Sequence, residues 1–470
     1  MKLLYANPVL ACFANNNTAL IPQLWAQEGL AILEENMVMA RLVHRDFSDE
    51  VANYGDVVNT RRPGTFTTAR KTDVDSVVAQ DAIATNVPVP LDQHVYVTFT
   101  IKDGESSKAF QDLVDLYLTP AAQQIARTVD RVLIGQAHLF LDNSVGSLQE
   151  MTINNAKDYL LECREKMNVN KAYPTGRNIV LSPSAETELL KTELFISAEK
   201  RGDEGTALRE ASLGRLLGFD SYMDQNVPSL ADTANVSKGS GVMDEGEPKG
   251  ETTMNCTITG YEVAAGEYVW VAGEGQPHVI ESATVGAGDT TEIVMTSGLT
   301  AAVTTNAVIT AFKACDVNVA VSYPAAYAKA INLEGYTANM APTTGQMIAF
   351  GTGANRHVYT IIEAYASATG QHVWLDRPLD AIVMNAAKAY PGPIGSFNLA
   401  FHRNALALVS RPLALPDTTL GVRSSVGVYN DIAMRVSMQY DITSQGTIVT
   451  LDLLCGVALL DKNLGCVLLS

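Results

Sequence analysis

The sequence predicts an α+β fold interrupted by an inserted all-β segment. Two observations predict it. An alternating strand over Val95–Ile101 passes almost directly into a long amphipathic stretch that ends near Phe140. At about Ser229 the composition shifts to Gly, Thr, Ala and Val, and mixed patterns return only after Phe397.

In the strand, Val95, Val97, Phe99 and Ile101 share one face, and Tyr96, Thr98 and Thr100 share the other. That period of two marks a half-buried strand. Beyond the Asp103-Gly104 turn and a Ser106/Ser107 cap, apolar residues return at helical spacing: Phe110, Leu113, Tyr117, Ala121, Ile125, Val129 and Val132. The stripe suits a helix lying along a sheet. Pro120 lacks a backbone donor and crowds the preceding turn, so a kink is expected there.

Upstream, Pro22 suits the start of a helix that is expected to run to about Arg45, with Trp25, Gly29, Ile32, Met39 and Val43 on one face. Residues 65–94 are polar, contain Pro88 and Pro90, and carry too few large apolar side chains for a core. Bounded by extended segments, they predict a long hairpin projecting from the body. Such an arm is either disordered or bound to another subunit, and its strand signals favour the second.

Downstream, a helix over Thr152–Met167, a short buried strand at Asn178–Pro183, a helix over Ala185–Leu194 and a run from Gly214–Asp220 through Tyr222 to Val227-Pro228 predict an α/β layer of alternating strands and helices. Between 229 and 397, alternating stretches such as Tyr268–Val271, Glu292–Met295, His357–Ile361 and His372–Leu375 predict a small sandwich or barrel. A faint echo runs through them. Gly260-Tyr261, His278-Val279 and Leu299–Ala302 recur in order as Gly335-Tyr336, His357-Val358 and Leu379–Ile382, which reads as two related β units. The α/β style resumes after Phe397 and ends in an apolar run from Ile448 to Leu460.

A length of 470 residues corresponds to about three domains at ~150 residues each. The formal net charge of −18 argues against a protein that grips a phosphate backbone. Six scattered cysteines without a Cys-x-x-Cys pair read as reduced thiols. The N-terminal residues only faintly resemble an export signal, because Asn7-Pro8 breaks the apolar region. There is no apolar run long enough to span a membrane.

Catalytic motifs are absent: no His-Glu-x-x-His, Walker A loop, Gly-x-Ser-x-Gly elbow or dinucleotide fingerprint occurs. Gly239-Ser-Gly241 and Gly351-Thr-Gly353 read as turns. Ser197–Lys200 has the Ser-x-x-Lys spacing of acyl-serine enzymes but no companion Lys-Thr-Gly. The seven histidines stand singly, and Asp73 with Asp75, or Asp244 with Glu245 and Glu247, read as hydrated carboxylates. The expectation is a protein that is not an enzyme and holds no cofactor or metal.

Several stretches together resemble one family. They are Ile21–Leu30, Leu42–Asp46, Asn53–Asn59, Arg62–Phe66, Val87–His94, Arg127–Val132 centred on Asp130, Gly214–Phe219 with Val227-Pro228, and Phe401–Ala405. In order and spacing they resemble tailed-phage major capsid proteins of the Hong Kong-97 type, over most of 20–228 and 398–470. The resemblance implies an N-terminal arm over 1–58, an extended loop over 59–94 and a peripheral domain with its long spine helix over 95–149. It further implies an axial domain over 150–228 and 398–434, and peripheral strands over 435–470. The β-domain at 229–397 is similar in position to one carried by certain short-tailed phages.

The function so implied is a shell subunit that assembles as pentamers and hexamers into an icosahedral virion head. The head forms in the host bacterial cytoplasm and encloses double-stranded DNA. The implied partners are further copies of the chain, a scaffolding protein, a portal and a decoration protein, with no membrane. Arg61, Arg62, Arg70 and Lys71 on the hairpin are the expected contacts to a neighbour's carboxylates. No residue matches the Lys–Asn crosslink of some family members. The alternatives are an encapsulin-like nanocompartment shell, and a β-rich adhesin or carbohydrate-binding protein. The second accounts for 229–397 but not for the helix or the hairpin.

Overall fold

In the computed structural model the described residues are 21–45, 57–62, 68, 70–71, 85–102, 117–146, 151–197, 211, 213–230, 238–260, 262–286, 289–312, 318–319, 323, 330–334, 342–367, 370–392, 395–417, 421–443 and 445–470. The first elements are α1 (Ile21–Asn36), α2 (Met39–Leu42), β1 (Val57–Arg62), β2 (Thr85–Pro90), β3 (Gln93–Lys102) and α3 (Thr119–Gly135), which passes into a 3-10 turn, Gln136–Asn143. There follow β4 (Ser144–Val145), α4 (Ala156–Val169), β5 (Arg177–Leu181), α5 (Pro183–Lys191), α6 (Glu193–Ile196), β6 (Arg215–Leu216), β7 (Phe219–Met223) and β8 (Ser229–Leu230).

The β-rich stretch supplies β9 (Lys238–Met243), β10 (Thr253–Ile258), β11 (Tyr268–Val271), β12 (His278–Gly286), β13 (Asp289–Met295) and β14 (Val308–Phe312). It continues with β15 (Asn318–Val319), β16 (Ala330–Glu334), β17 (Met347–Phe350), β18 (His357–Ser367), β19 (Gly370–Leu375) and β20 (Ala389–Pro391). The last strands are β21 (Gly395–His402), β22 (Leu406–Arg411), β23 (Arg423–Tyr429), β24 (Ile432–Asp441), β25 (Gly446–Leu459) and β26 (Gly465–Leu469).

The chain divides into two units. One comprises 1–35, 94–125 and 411–454. In it β24 pairs with β23 on one side and β25 on the other, and β3 pairs with β25. β3 alternates in burial as its sequence predicts: Val95, Val97 and Phe99 are partly covered and Ile101 is buried, while Tyr96, Thr98 and Thr100 are exposed. The Phe99 ring lies 6.2 Å from Trp25 of α1 and 5.7 Å from Tyr117. Helix α1 comes so close to the sheet that Gly29 faces Met434 and Leu451, and Gly427 faces Ala26 and Leu30. Trp25, Ala26, Leu30 and Leu33 are therefore buried in a segment expected as an arm.

The other unit comprises 36–93, 126–410 and 455–470. Its central sheet runs β4-β26-β21-β5-β7-β6. β5 and β21 sit in the middle, and β21 is buried from Gly395 to Phe401. Such near-continuous burial is expected of a strand covered on both faces. On one face, α4 and α5 contribute Leu160, Cys163, Met167, Ala185 and Leu189 to a core with Ile179, Leu181, Cys466 and Leu468. Ser182 caps α5, accepting from the Ala185 amide, and Pro183 occupies the first turn. β26 lies beside β21, so the tail from 435 is split between two sheets, whereas the expectation placed it in one. The all-apolar Gly465–Leu469 strand is buried along its whole length between β4 and β21.

The β-rich stretch leaves and re-enters this sheet at adjacent points, for β8 pairs with the start of β21 (Ser229↔Ser396, Leu230↔Gly395). Within it are two β units. The first is a closed barrel, β10-β13-β12-β11-β14-β9. The second is a six-stranded sheet, β15-β16-β19-β18-β17-β20. Opened between β9 and β14, the barrel has the same strand order as the second unit. Their turns match as well. The Gly266 and Gly345 amides donate to the Ile280 and Ile361 carbonyls at 2.8 and 2.7 Å, and both glycines have φ near +90°. Leu299 and Leu379, paired in the sequence echo, are both buried.

One expectation needs correction. The first helix does not run unbroken to Arg45; it stops at Asn36 and α2 restarts at Met39. Pro120 stands at the second residue of α3, directly after a π-type turn at 117–118. Residues 103–116, expected as the turn and the start of this helix, lie outside the described residues, as do residues 198–210.

Candidate functional site

Strands β1 and β2 form a two-stranded ribbon that pairs with no third strand among the described residues. The register runs from Val57↔Pro90 to Arg62↔Thr85, with Arg61 opposite Asn86. Two prolines in β2 leave no donor at those positions, a sequence reason for the ribbon to stay unpaired on one side. At its base Val58 and Val89 turn inward onto Ala407, Val409, Leu91, Ala458 and Leu460. Val57, Pro88 and Pro90 remain exposed. Arg61 and Arg62 belong to β1, and Arg70 and Lys71 are exposed and lie outside the strands. Asp73 and Asp75 fall outside the described residues.

The base of the ribbon is held by backbone contact. A Cβ on Gly456 of β25 would stand 2.1 Å from the Pro90 carbonyl oxygen, a distance no side chain tolerates. Gly456→Val is therefore expected to push the ribbon off its seat, read as faster amide exchange across 85–93 with the exchange of β5 and β21 unchanged.

Three buried carboxylates, those of Asp130, Asp376 and Glu274, tie distant segments together. Asp130, on α3 and 1% exposed, accepts the amides of Val38 at 2.8 Å, Met39 at 3.1 Å and Ala40 at 3.3 Å. These are the orphan donors at the start of α2, so a side chain some 90 residues away caps that helix. Burial, with Asp224 nearby, pushes Asp130 up to about 7, against the three amide bonds. Asp224 is raised by burial too, and it accepts from the Asn226 amide and side chain at 2.8 Å each. Arg131 bridges Asn226 and the Ile362 carbonyl, both at 3.2 Å, and so joins α3 to the second β unit.

Asp376 is fully buried in that unit. It accepts the Thr360 amide at 3.0 Å, Gln136 Nε2 at 3.1 Å and Arg377 Nη1 at 3.3 Å, while its backbone carbonyl accepts from Gln93. Thr360 Oγ1 donates to the Gly135 carbonyl at 3.0 Å, and a Cβ on Gly135 would strike Thr360. Burial pushes Asp376 up to about 6 and His138, which lies against Gly135 and near Arg377, down to about 4. Asp376→Ala leaves three donors without their acceptor. It is expected to cost about 3 kcal/mol and to loosen the second β unit, measured as a lower urea midpoint and early proteolysis between β15 and β20.

The third carboxylate belongs to the barrel. Glu274 takes the amides of Thr300 and Ala301 at 3.0 and 2.8 Å, the Thr300 hydroxyl at 2.6 Å and His278 Nε2 at 3.2 Å. These bonds hold its pKa below the usual value although burial opposes them. Each of the three joins two or more segments. Among the described residues no set of three or more His, Cys, Asp or Glu is placed to hold a metal, and no helix is long and apolar enough to cross a membrane. The cysteines at 163, 256, 455 and 466 are buried and carry no disulfide.

No family model matches the chain, and no curated protein matches it. Among solved structures, one from Mycobacterium phage Che8 is similar at 13% identity, covering 92% of this chain and 90% of that one, with a TM-score of 0.42. The capsid structure of cyanophage P-SCSP1u is similar at 10% identity, covering 88% and 84%, also with a TM-score of 0.42. The asymmetric unit of the mature capsid of bacteriophage PhiM1 is similar at 9% identity, covering 92% and 86%, with a TM-score of 0.39.

Proposed function

We propose that this chain is the major capsid protein of a tailed double-stranded DNA bacteriophage, a subunit that closes into an icosahedral head. The β1–β2 ribbon carries the reading. Two strands that, among the described residues, pair only with each other are marginal in water, and this pair is seated on its own chain by one small apolar cluster and the close approach of Gly456 to Pro90. A neighbouring copy supplies the missing surface. The ribbon lies over that copy, with Arg61, Arg62, Arg70 and Lys71 offered to its carboxylates. A head-to-tail contact of this kind closes into rings when the rotation permits, which gives pentamers and hexamers.

Chemistry elsewhere in the molecule fits a wall. A net charge of −18 lets it enclose DNA without gripping the phosphates. Buried carboxylates lock the layers of each subunit, so that weak contacts repeated many times set the assembly. The proposed partners are a scaffolding protein and a portal, which join a shell that the chain closes by its own contacts, with assembly in the bacterial cytoplasm. The test is removal of the ribbon. Replacing 59–90 with a short Gly-Ser turn should leave a folded chain that forms no shells; closed shells from this variant would remove the ribbon from the account.

A further inference from the structure

We infer that the outer face of the second β unit is a binding platform for a neutral oligosaccharide. Three strands make it. One rung aligns Asn332, His372 and Tyr365, and the next aligns Ala330, Trp374 and Glu363. The alternate residues Ile331, Val373 and Leu375 fill the core behind. The rings stand out from the sheet, with Tyr365 48% and Trp374 41% exposed. Tyr365 and His372 lie 4.9 Å apart, and His372 and Trp374 6.2 Å apart. His372 Nδ1 is hydrogen-bonded to the Asn332 side-chain oxygen, which fixes the imidazole in the row.

The first β unit provides an internal control. At the matching rungs it carries Asn255, Glu292 and Thr284, then Thr253, Val294 and Ser282. The asparagine is shared. Where the second unit has its rings, the first has Glu292, Thr284 and Val294, and Thr284 donates to Glu292 at 3.3 Å. The same strand order thus forms without the rings, so the architecture does not require them. A row of exposed aromatic side chains that the fold does not need marks a contact surface.

The chemistry of the row selects the ligand. Aromatic faces stack on the apolar CH face of a pyranose, while Asn332, His372 and Glu363 offer acceptors and donors to its hydroxyls. A nucleic acid would also stack, but it needs cations, and the charged side chain in these two rungs is the acid Glu363. The platform occupies one subunit and does not depend on the shell reading.

The test uses the full chain with cellohexaose, maltohexaose and chitopentaose as probes, followed by saturation-transfer NMR and tryptophan fluorescence. At least one probe is expected to bind saturably. Trp374→Val and Tyr365→Thr, which install the first unit's residues, should each weaken it about tenfold with an unchanged circular-dichroism spectrum. Three results would overturn the inference: no saturation by any probe up to about 10 mM, unchanged affinity in both variants, or loss of chain–chain association in Trp374→Val, which would assign the face to a second copy. Shell formation is scored separately by microscopy, so the two readings fail independently.

Discussion

Arg61→Glu combined with Arg62→Glu is expected to abolish closed shells while leaving the chain folded. A single exposed ion pair contributes only ~0–1 kcal/mol, so no one contact decides assembly. A shell repeats the contact at every subunit, and reversal turns each attraction into a repulsion. A change of about 1.4 kcal/mol per contact is already tenfold in its equilibrium, and closure multiplies it. Both arginines lie in β1, whose seat is made by Val58 and Val89, so the fold keeps its apolar contacts. Sedimentation and negative-stain microscopy should show small particles with the parental circular-dichroism spectrum. The same reversal at Arg70 and Lys71 tests the other two basic residues, and shells from both variants would exclude all four from the contact.

The second large effect falls on stability. Asp130→Ala removes the acceptor from three amides and is expected to cost about 3 kcal/mol, a large part of a domain's margin. Asp130→Asn keeps one acceptor oxygen and should cost less. Its signature is in the pH dependence. A carboxyl whose folded pKa is raised to about 7 binds its proton more tightly folded than unfolded. Its contribution is therefore fully present below about pH 4 and is lost as pH rises to about 7, with a slope of at most ~1.4 kcal/mol per pH unit. Asp376, raised to about 6, acts in the same direction over the lower part of that window. Urea midpoints at several pH values should fall towards neutrality in the parent and fall less in Asp130→Asn. An equal slope in both would show that Asp130 does not titrate there.

The β3 alternation was legible because its cause is local: successive side chains face opposite ways, and one side is covered by Trp25 and Tyr117. The start of α5 was legible for the same reason, in Ser182 and Pro183. The break between α1 and α2 was not. Nothing in Met37-Val38 forbids a helix, and the interruption comes from a carboxylate on α3. The double β unit showed only faintly as matched His, Leu and Gly positions. A stronger signal was present in Gly266-Glu267 and Gly345-Gln346, where glycine sits at positive φ and the following side chain accepts from the amide three residues back, at 3.1 Å in each unit. The aromatic row was missed because period-two strands were read for their buried face. The split tail could not be read, since two apolar strands in sequence do not say which sheet each will join.

The central claim is tested most directly by expressing the full chain in bacterial cells and examining the purified product by negative-stain microscopy with sedimentation velocity. The account predicts closed, hollow shells of uniform diameter. A species that kept the mass of one chain at every concentration, with the β1–β2 ribbon protected from amide exchange in that lone subunit, would contradict it.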